Sequence, residues 1–163
     1  RSALASFRGV GRRFDSLGHS QGVTVIDDYA HHPSEIEATL AAARQRFPAG
    51  DLWAVFQPHT YSRTKTFADR LATSFSKADH VIVLEIYAAR EAPDPTVSAE
   101  RLARQIKARD VRFVSELVRA AEQLIAEVKP GSVVVTLSAG DGDQVGRLVL
   151  ASLESEARGE LHD

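Results

Sequence analysis

Residues 23–33 have the sequence VTVIDDYAHHP, and this stretch decides the class of fold. The run at 23–26 is apolar and β-branched, which indicates a β-strand covered on both faces. Pro33 suits the first position of an α-helix, and Glu35 would lie in its first turn. The stretch therefore predicts a buried strand that passes into a helix through a loop of acidic, aromatic and imidazole side chains.

The same order of strand and helix recurs along the chain. Further apolar runs indicate strands at 52–56, 81–84, 111–114 and 133–137. Between the runs, apolar residues recur at the spacings of an amphipathic helix. Strands that alternate with helices build a parallel sheet with helices on both faces. We therefore predict an α/β fold, a Rossmann-like doubly wound and mainly parallel sheet of about six strands.

The N-terminal segment departs from this pattern. Turn-forming residues precede the first long strand, so residues 1–22 are expected to form an edge hairpin with one antiparallel edge strand. Other boundaries are indicated by capping and helix-breaking residues: helix N-caps at Ser62 and Ser98, a helix end at Pro130 and Gly131, and a loop over 88–97.

Composition limits the class of protein. The chain has 163 residues, 44% hydrophobic and 26% charged, which fits a single globular domain over residues 1–163. A net charge of -2 indicates neither nucleic acid nor a membrane surface as a partner. Without cysteine there is no disulfide and no thiolate nucleophile, which agrees with a cytoplasmic setting. The chain begins at Arg1 and contains no methionine, so we expect it to be a piece cut from a longer protein or a processed product.

A second polar cluster follows the next strand, where residues 57–64 have the sequence QPHTYSRT. Ligands of open α/β sheets bind beyond the carboxyl ends of the strands, and both clusters fall at that edge. Arg63 would lie at the start of a helix, where a guanidinium beside free backbone N–H groups makes a local site for a carboxylate or phosphate. In the first cluster, Asp28 could accept hydrogen bonds from a ribose and Tyr29 could cover a sugar or base.

Two further features leave alternatives open. Imidazole and carboxylate donors in the two clusters would also suit a metal hydrolase, although adjacent histidines normally point in different directions. The turn at 138–143 has glycines that miss the dinucleotide-binding spacing by one residue, and the chain contains no phosphate-binding loop of the Gly-x-x-x-x-Gly-Lys type. The candidate metal ligands are Asp27, Asp28, His31, His32 and His59.

Together with the segment at 11–15, the clusters at 27–33 and 57–64 resemble the C-terminal domain of Mur ligases over essentially the whole chain. The second histidine and the Gln-Pro-His sequence are most similar to the alanine-adding members. This resemblance implies the third domain of a cytoplasmic, ATP-dependent ligase of peptidoglycan synthesis. Such an enzyme joins L-alanine to UDP-N-acetylmuramate through an acyl phosphate, and its central domain holds most of the Mg²⁺ ligands.

The resemblance also implies roles for individual residues. Three of them would contact the nucleotide, namely Arg13, Asp28 and Tyr29, with the choice of Arg13 over Arg12 resting on alignment. Four would surround the incoming alanine, namely His31, His59, Thr60 and Arg63. The chain departs from the family where Thr60 replaces an arginine and where Ala88, Ala89 and Arg90 replace Pro-Ala-Gly. The resemblance implies no metal ligand and no catalytic residue that acts within this chain alone.

Other functions compete with this interpretation. A binding module that stands alone could use the same strand-end crevice for a nucleotide or an amino acid without catalysis. Other Mur ligases and folylpolyglutamate ligases share the Asp-Tyr-Ala-His core, which occupies residues 28–31 here. Within this group, the residues at 32 and 57–59 argue for alanine addition.

Overall fold

A computed structural model describes residues 12–159. It has six strands in one sheet, in the order β1-β2-β6-β3-β4-β5. Only β1 runs antiparallel, to β2, and every other pairing is parallel. The strands are β1 (Asp15–Ser20), β2 (Val23–Asp28), β3 (Asp51–Phe56), β4 (His80–Val83), β5 (Asp110–Phe113) and β6 (Ser132–Leu137). The helices are α1 (Pro33–Arg46), α2 (Tyr61–Leu71), α3 (Ala99–Gln105), α4 (Leu117–Glu127) and α5 (Asp143–Gly159).

The helices divide between the two faces of the sheet, and each face has its own apolar core. Alternate residues of a strand point to opposite faces. In β3, Ala54 packs into the core that contains Ile36 of α1, whereas Val55 packs into the core that contains Leu124 of α4. Helices α1, α2 and α3 therefore cover one face and α4 and α5 the other. This confirms the predicted doubly wound architecture.

The N-terminal edge is also as predicted, because β1 is the antiparallel edge strand. A turn joins it to β2 through Gln21 and Gly22, both of which have positive φ, 48° and 77°. A side chain at Gly22 would lie 2.8 Å from the ring of Pro130, so this turn requires glycine. The part of the proposed hairpin at 1–11 lies outside the described residues. Within residues 12–159, none of the helices combines the length and the apolar character that crossing a bilayer requires.

Most helix boundaries follow the sequence, but one expected cap is wrong. Helix α1 begins at Pro33, and Ser98 caps α3 by accepting a hydrogen bond from the Arg101 amide. Ser62 is not a cap, because α2 begins one residue earlier and its N-cap is Thr60. Threonine and serine cap helices by the same hydroxyl chemistry, so the hydroxyl two residues earlier can take this position.

Candidate functional site

Strands β2, β3, β4 and β6 are parallel, so they end at one edge of the sheet. A parallel bridge between His59 and Tyr87 extends the pairing of β3 and β4 past the ends of the strands. Two backbone hydrogen bonds hold it, from the Thr60 amide to the Tyr87 carbonyl and from the Tyr87 amide to the Pro58 carbonyl, both at 2.9 Å. The second polar cluster is therefore part of the extended sheet edge.

Four aromatic side chains form a row across this edge, which we call the edge ridge: Tyr29, His31, His59 and Tyr87. Successive ring centroids are 5.6, 5.4 and 5.8 Å apart. Aromatic rings attract one another at centroid separations of roughly 4.5–7 Å. The outer members remain accessible, with Tyr29 46% and Tyr87 37% exposed. The edge ridge thus joins the two clusters and presents aromatic surface to a ligand or another domain.

His31 and Arg63 connect the two clusters directly. Nη1 of Arg63 lies 2.7 Å from Nε2 of His31, and Nδ1 of His31 lies 3.0 Å from the carbonyl oxygen of Tyr29. A guanidinium only donates hydrogen bonds and a carbonyl only accepts them. His31 must therefore donate from Nδ1 and accept at Nε2, which makes its ring neutral in this arrangement. Arg63 is exposed, and its remaining N–H groups have no hydrogen-bond partner within residues 12–159.

One ring nitrogen of His59 makes no hydrogen bond within residues 12–159. Its Nδ1 is buried and has no hydrogen-bond partner among the described residues. Burial lowers the pKa of His59 below its ordinary value, and repulsion from a protonated His31 ring and from the charge of Arg63 lowers it further. Buried polar atoms are normally paired, so an unpaired one beside a groove indicates a place where a ligand or a moving side chain could bind.

We predict that an NMR titration of the chain will give His59 a midpoint below that of a histidine in an unfolded peptide. Arg63→Ala should move this midpoint part of the way back, because burial, the largest cause, and the effect of His31 remain. Folding favours the neutral ring, so stability should decrease as the pH falls from the ordinary histidine pKa to the lower folded value. An unshifted midpoint in the native chain would contradict the burial of this ring.

The first of two adjoining grooves contains Arg13, Asp28, Tyr29 and Glu35, and we call it the Tyr29 groove. Its volume is about 230 Å³. Both carboxylate oxygens of Asp28 already accept backbone amides, from Phe14 at 2.8 Å and from Ala30 at 2.7 Å. Asp28 therefore also holds the loop in place, and each oxygen retains one further lone pair for a ligand.

The second groove, which we call the Arg63 groove, has a volume of about 320 Å³. It is lined by His31, His32, Glu35, Arg63 and Phe67. Oε2 of Glu35 accepts the amides of His31 at 3.2 Å and His32 at 3.0 Å, which fixes the loop before α1. The ring of His32 packs edge-on against Phe67, with centroids 4.6 Å apart. A cation thus faces a small space with one apolar wall, an arrangement suited to a small carboxylate.

Thr60 is the least accessible of the four predicted substrate contacts, at 8% exposure. Its Oγ1 accepts the amide of Arg63 at 3.5 Å, and its carbonyl accepts the hydroxyl of Thr64 at 2.7 Å. Its backbone has a positive φ of 63°, which is uncommon for a β-branched residue. Its place in the structure is the start of α2, and its contact with a substrate stays a prediction.

Arg12 has a structural role that the sequence did not indicate. Its Nε lies 2.8 Å from Oδ2 of buried Asp27, and its other nitrogens donate to the carbonyls of Ser138 at 2.8 Å and Gly140 at 3.1 Å. Its guanidinium also lies 5.5 Å from the ring centroid of Tyr29. The neighbouring Arg13 is exposed and lines the Tyr29 groove. Of the two arginines, the geometry favours Arg13 as the ligand contact.

Gln57 belongs to the Gln-Pro-His sequence, but the sequence indicated no role for its side chain. Its Oε1 accepts the hydroxyl of Ser138 at 2.8 Å and the amide of Gly142 at 2.9 Å. Its Nε2 donates to Asp141 at 2.6 Å. A side chain at Gly140 would lie 2.5 Å from the ring of Tyr87, so glycine is required there. The turn at 138–142 therefore supports the edge ridge. The sequence feature that could have indicated this contact is a glutamine directly after a strand.

A metal centre is not assembled from the candidate ligands. Asp27 is bound to Arg12 and to the hydroxyl of Thr136, while His31 is bound to Arg63. Over residues 12–159, no group of three or more histidine, aspartate or glutamate side chains could hold a metal ion.

The fold and the site define an α/β domain with a cationic groove and an aromatic ridge at the carboxyl edge of its sheet. The chain belongs to the family described as "Mur ligase, glutamate ligase domain", whose sequence model matches residues 12–140. The resemblance inferred from the two clusters is thereby confirmed.

Curated relatives agree with this assignment. The chain is 48% identical to a UDP-N-acetylmuramate--L-alanine ligase of Roseiflexus sp. (strain RS-1), over 94% of the chain and 33% of the relative. It is also 48% identical to the protein of the same name from Geobacter sulfurreducens, over 95% of the chain and 34% of the relative. The chain thus spans about a third of the length of these relatives.

Solved structures lead to the same family. UDP-N-acetylmuramate-alanine ligase MurC from Thermotoga maritima matches with a TM-score of 0.72 and 28% identity, over 94% of this chain and 32% of that one. MurF ligase from the same organism, in complex with ADP, matches with a TM-score of 0.65 and 25% identity, over 94% and 34%.

Proposed function

We propose that the chain is the C-terminal domain of an ATP-dependent ligase that joins L-alanine to UDP-N-acetylmuramate in peptidoglycan synthesis. The observation that carries this proposal is the Arg63 groove, where an exposed guanidinium lies 2.7 Å from His31. The names of the curated relatives supply the reaction. The substrates are cytoplasmic metabolites, so the proposed enzyme works in the cytoplasm.

In the proposed reaction, ATP transfers its γ-phosphoryl group to the muramoyl carboxylate and leaves as ADP. The amine of alanine then attacks the acyl carbon, an amide bond forms, and inorganic phosphate departs with the pair of electrons of the broken C–O bond. The role of Arg63 is to bind the carboxylate of alanine, which orients the amine toward the acyl phosphate. His31 fixes the direction of the guanidinium through the bond to its Nε2. His59 lines the approach beside it.

The nucleotide belongs to the neighbouring Tyr29 groove in this proposal. Arg13 would contact the phosphates, Asp28 the ribose, and Tyr29 the face of the sugar or base. Mg²⁺ would neutralise phosphate charge and would be held mainly by the central domain of the full-length enzyme. The N-terminal and central domains are the proposed partners of this domain, and closure over them would exclude water from the acyl phosphate.

This assignment predicts that the purified chain will fold by itself but show no ligase or ATPase turnover. Its two apolar cores support folding, whereas the residues proposed here bind and orient substrates without supplying the phosphate-binding loop. Folding is checked by a cooperative unfolding transition, and turnover by ADP release with and without UDP-N-acetylmuramate and alanine. The full-length enzyme is the positive control. Turnover by the chain alone, after purification from an ATPase-free background, would overturn the prediction.

A further inference from the structure

The loop at 88–97 is attached to α2 at two points. At the first, Oε2 of Glu91 accepts the amide of Ser62 at 2.9 Å, and the second carboxylate oxygen accepts the Ser62 hydroxyl. At the second, Nζ of Lys65 donates to the carboxylate of Asp94 at 3.2 Å and to the hydroxyl of Thr96 at 3.0 Å. Hydrogen bonds from Thr96 are the main cause that lowers the pKa of Asp94 to about 2. Each attachment thus includes a carboxylate, one at the start of the helix and one along it.

The attachment at Glu91 holds the turn of helix that carries Arg63. Hydrogen bonds from the hydroxyl and then the amide of Ser62 lower the pKa of Glu91 below its ordinary value, so the group is ionised at neutral pH. A carboxylate at a helix N-terminus is also stabilised by the unpaired N–H groups and the helix dipole. Arg63 is the next residue along the chain, so its backbone is fixed directly beside this contact.

The side chain of the cap residue Thr60 holds the Arg63 amide only weakly. The bond from the Arg63 amide to Oγ1 of Thr60 is 3.5 Å long, at the outer limit of a hydrogen bond. The cap residue itself has the uncommon backbone angle φ of 63°. Glu91 contributes two bonds to a charged acceptor, which are stronger than one long neutral bond. Glu91 therefore adds a second support to the first turn of α2, beside the bonds that the amide and carbonyl of Thr60 make to Tyr87 and Thr64.

From these contacts we infer that Glu91 is a positioning residue for the amino-acid substrate, which it does not touch. It fixes the first turn of α2 so that Arg63 meets both His31 and the substrate carboxylate. Because the carboxylate of Glu91 already accepts a hydrogen bond from the Ser62 amide, the substrate carboxylate binds the guanidinium of Arg63 and not the N-terminus of the helix. The inference rests on the proposed function, since it specifies how alanine is held in the Arg63 groove.

The test uses the full-length enzyme and measures KM for alanine and for ATP together with kcat. Glu91→Ala should raise KM for alanine about tenfold, while KM for ATP and kcat at saturating alanine change by less than about twofold. Glu91→Gln keeps an acceptor for the Ser62 amide and should recover part of the loss. Ser62→Ala removes only the hydroxyl contact and should give a smaller increase in the same direction. If Glu91→Ala fails to fold, Ser62→Ala still tests the inference.

Asp94→Ala is the matched control, since it removes a carboxylate contact between the same loop and α2 at the point farther from Arg63. It should change KM for alanine by less than about twofold. A double-mutant cycle gives the sharper result: if Glu91 acts through Arg63, adding Glu91→Ala to Arg63→Ala should produce no further increase in KM. An equal increase in both backgrounds, or an unchanged KM in Glu91→Ala, would overturn the inference. Absence of alanine-dependent turnover in the wild-type enzyme would instead overturn the proposed function.

Discussion

Replacing Arg63 by alanine in the full-length enzyme is expected to raise KM for alanine by about 10- to 100-fold. This range corresponds to the loss of a hydrogen-bonded charge pair worth about 1.5–3 kcal/mol. KM for ATP should change far less, because Arg63 lines the groove beside α2 and not the Tyr29 groove. The measurement is a steady-state titration of each substrate with the other two at saturation.

Two variants make the Arg63 result specific. Arg70→Ala removes the same charge from the last turn of the same helix and should leave all three KM values near those of the wild type. Arg63→Lys keeps the charge but not the forked donors, so it should recover only a fraction of the affinity. Wild-type kinetics in Arg63→Ala would remove this residue from the amino-acid site.

Arg12→Ala should destabilise the domain by about 3–5 kcal/mol, the usual cost of leaving one member of a buried ion pair without its partner. Its partner Asp27 has a side chain that is 0% exposed, against 26% for Arg12 itself. The substitution also removes the donors to the carbonyls of Ser138 and Gly140. The measurement is the free energy of unfolding of the purified chain in urea.

Arg13→Ala provides the paired comparison at the adjacent residue. Its side chain is exposed, so the free energy of unfolding should change by less than about 0.5 kcal/mol. In the full-length enzyme the same substitution should raise KM for ATP, because Arg13 lines the Tyr29 groove. If Arg12→Ala were harmless to folding and Arg13→Ala destabilising, the roles assigned to the two arginines would be reversed.

Much of the fold could be predicted because its signals are local. The uninterrupted apolar runs at 52–56 and 133–137 predict strands that are covered on both faces, and β3 and β6 are such strands. Proline at position 33 marks the first residue of α1. Polar residues directly after these runs pointed to the carboxyl edge, where the edge ridge lies.

What could not be predicted depends on partners far apart in the sequence. Arg12 binds carbonyls 126 and 128 residues away, and Gln57 binds Asp141 84 residues away. Nothing near position 12 distinguishes it from the equally charged position 13. Likewise, Glu91 lies in a loop without periodicity, and its contact with Ser62 requires the loop and helix to be placed first.

The central position of β6 has a consequence for the order in which this domain can be made. Strand β6 lies between β2 and β3 in the sheet. Strands β2 and β3 therefore cannot join one sheet until β6, which comes later in the sequence, pairs with both. The pairing of β2 with β6 joins residues 109 positions apart, a separation that slows folding through the entropy of loop closure. On the ribosome, the polar clusters at 27–33 and 57–64 would be synthesised early and would stay unassembled until β6 emerges. A chain that terminates before Ser132 should therefore contain every predicted ligand contact and still fail to bring them together.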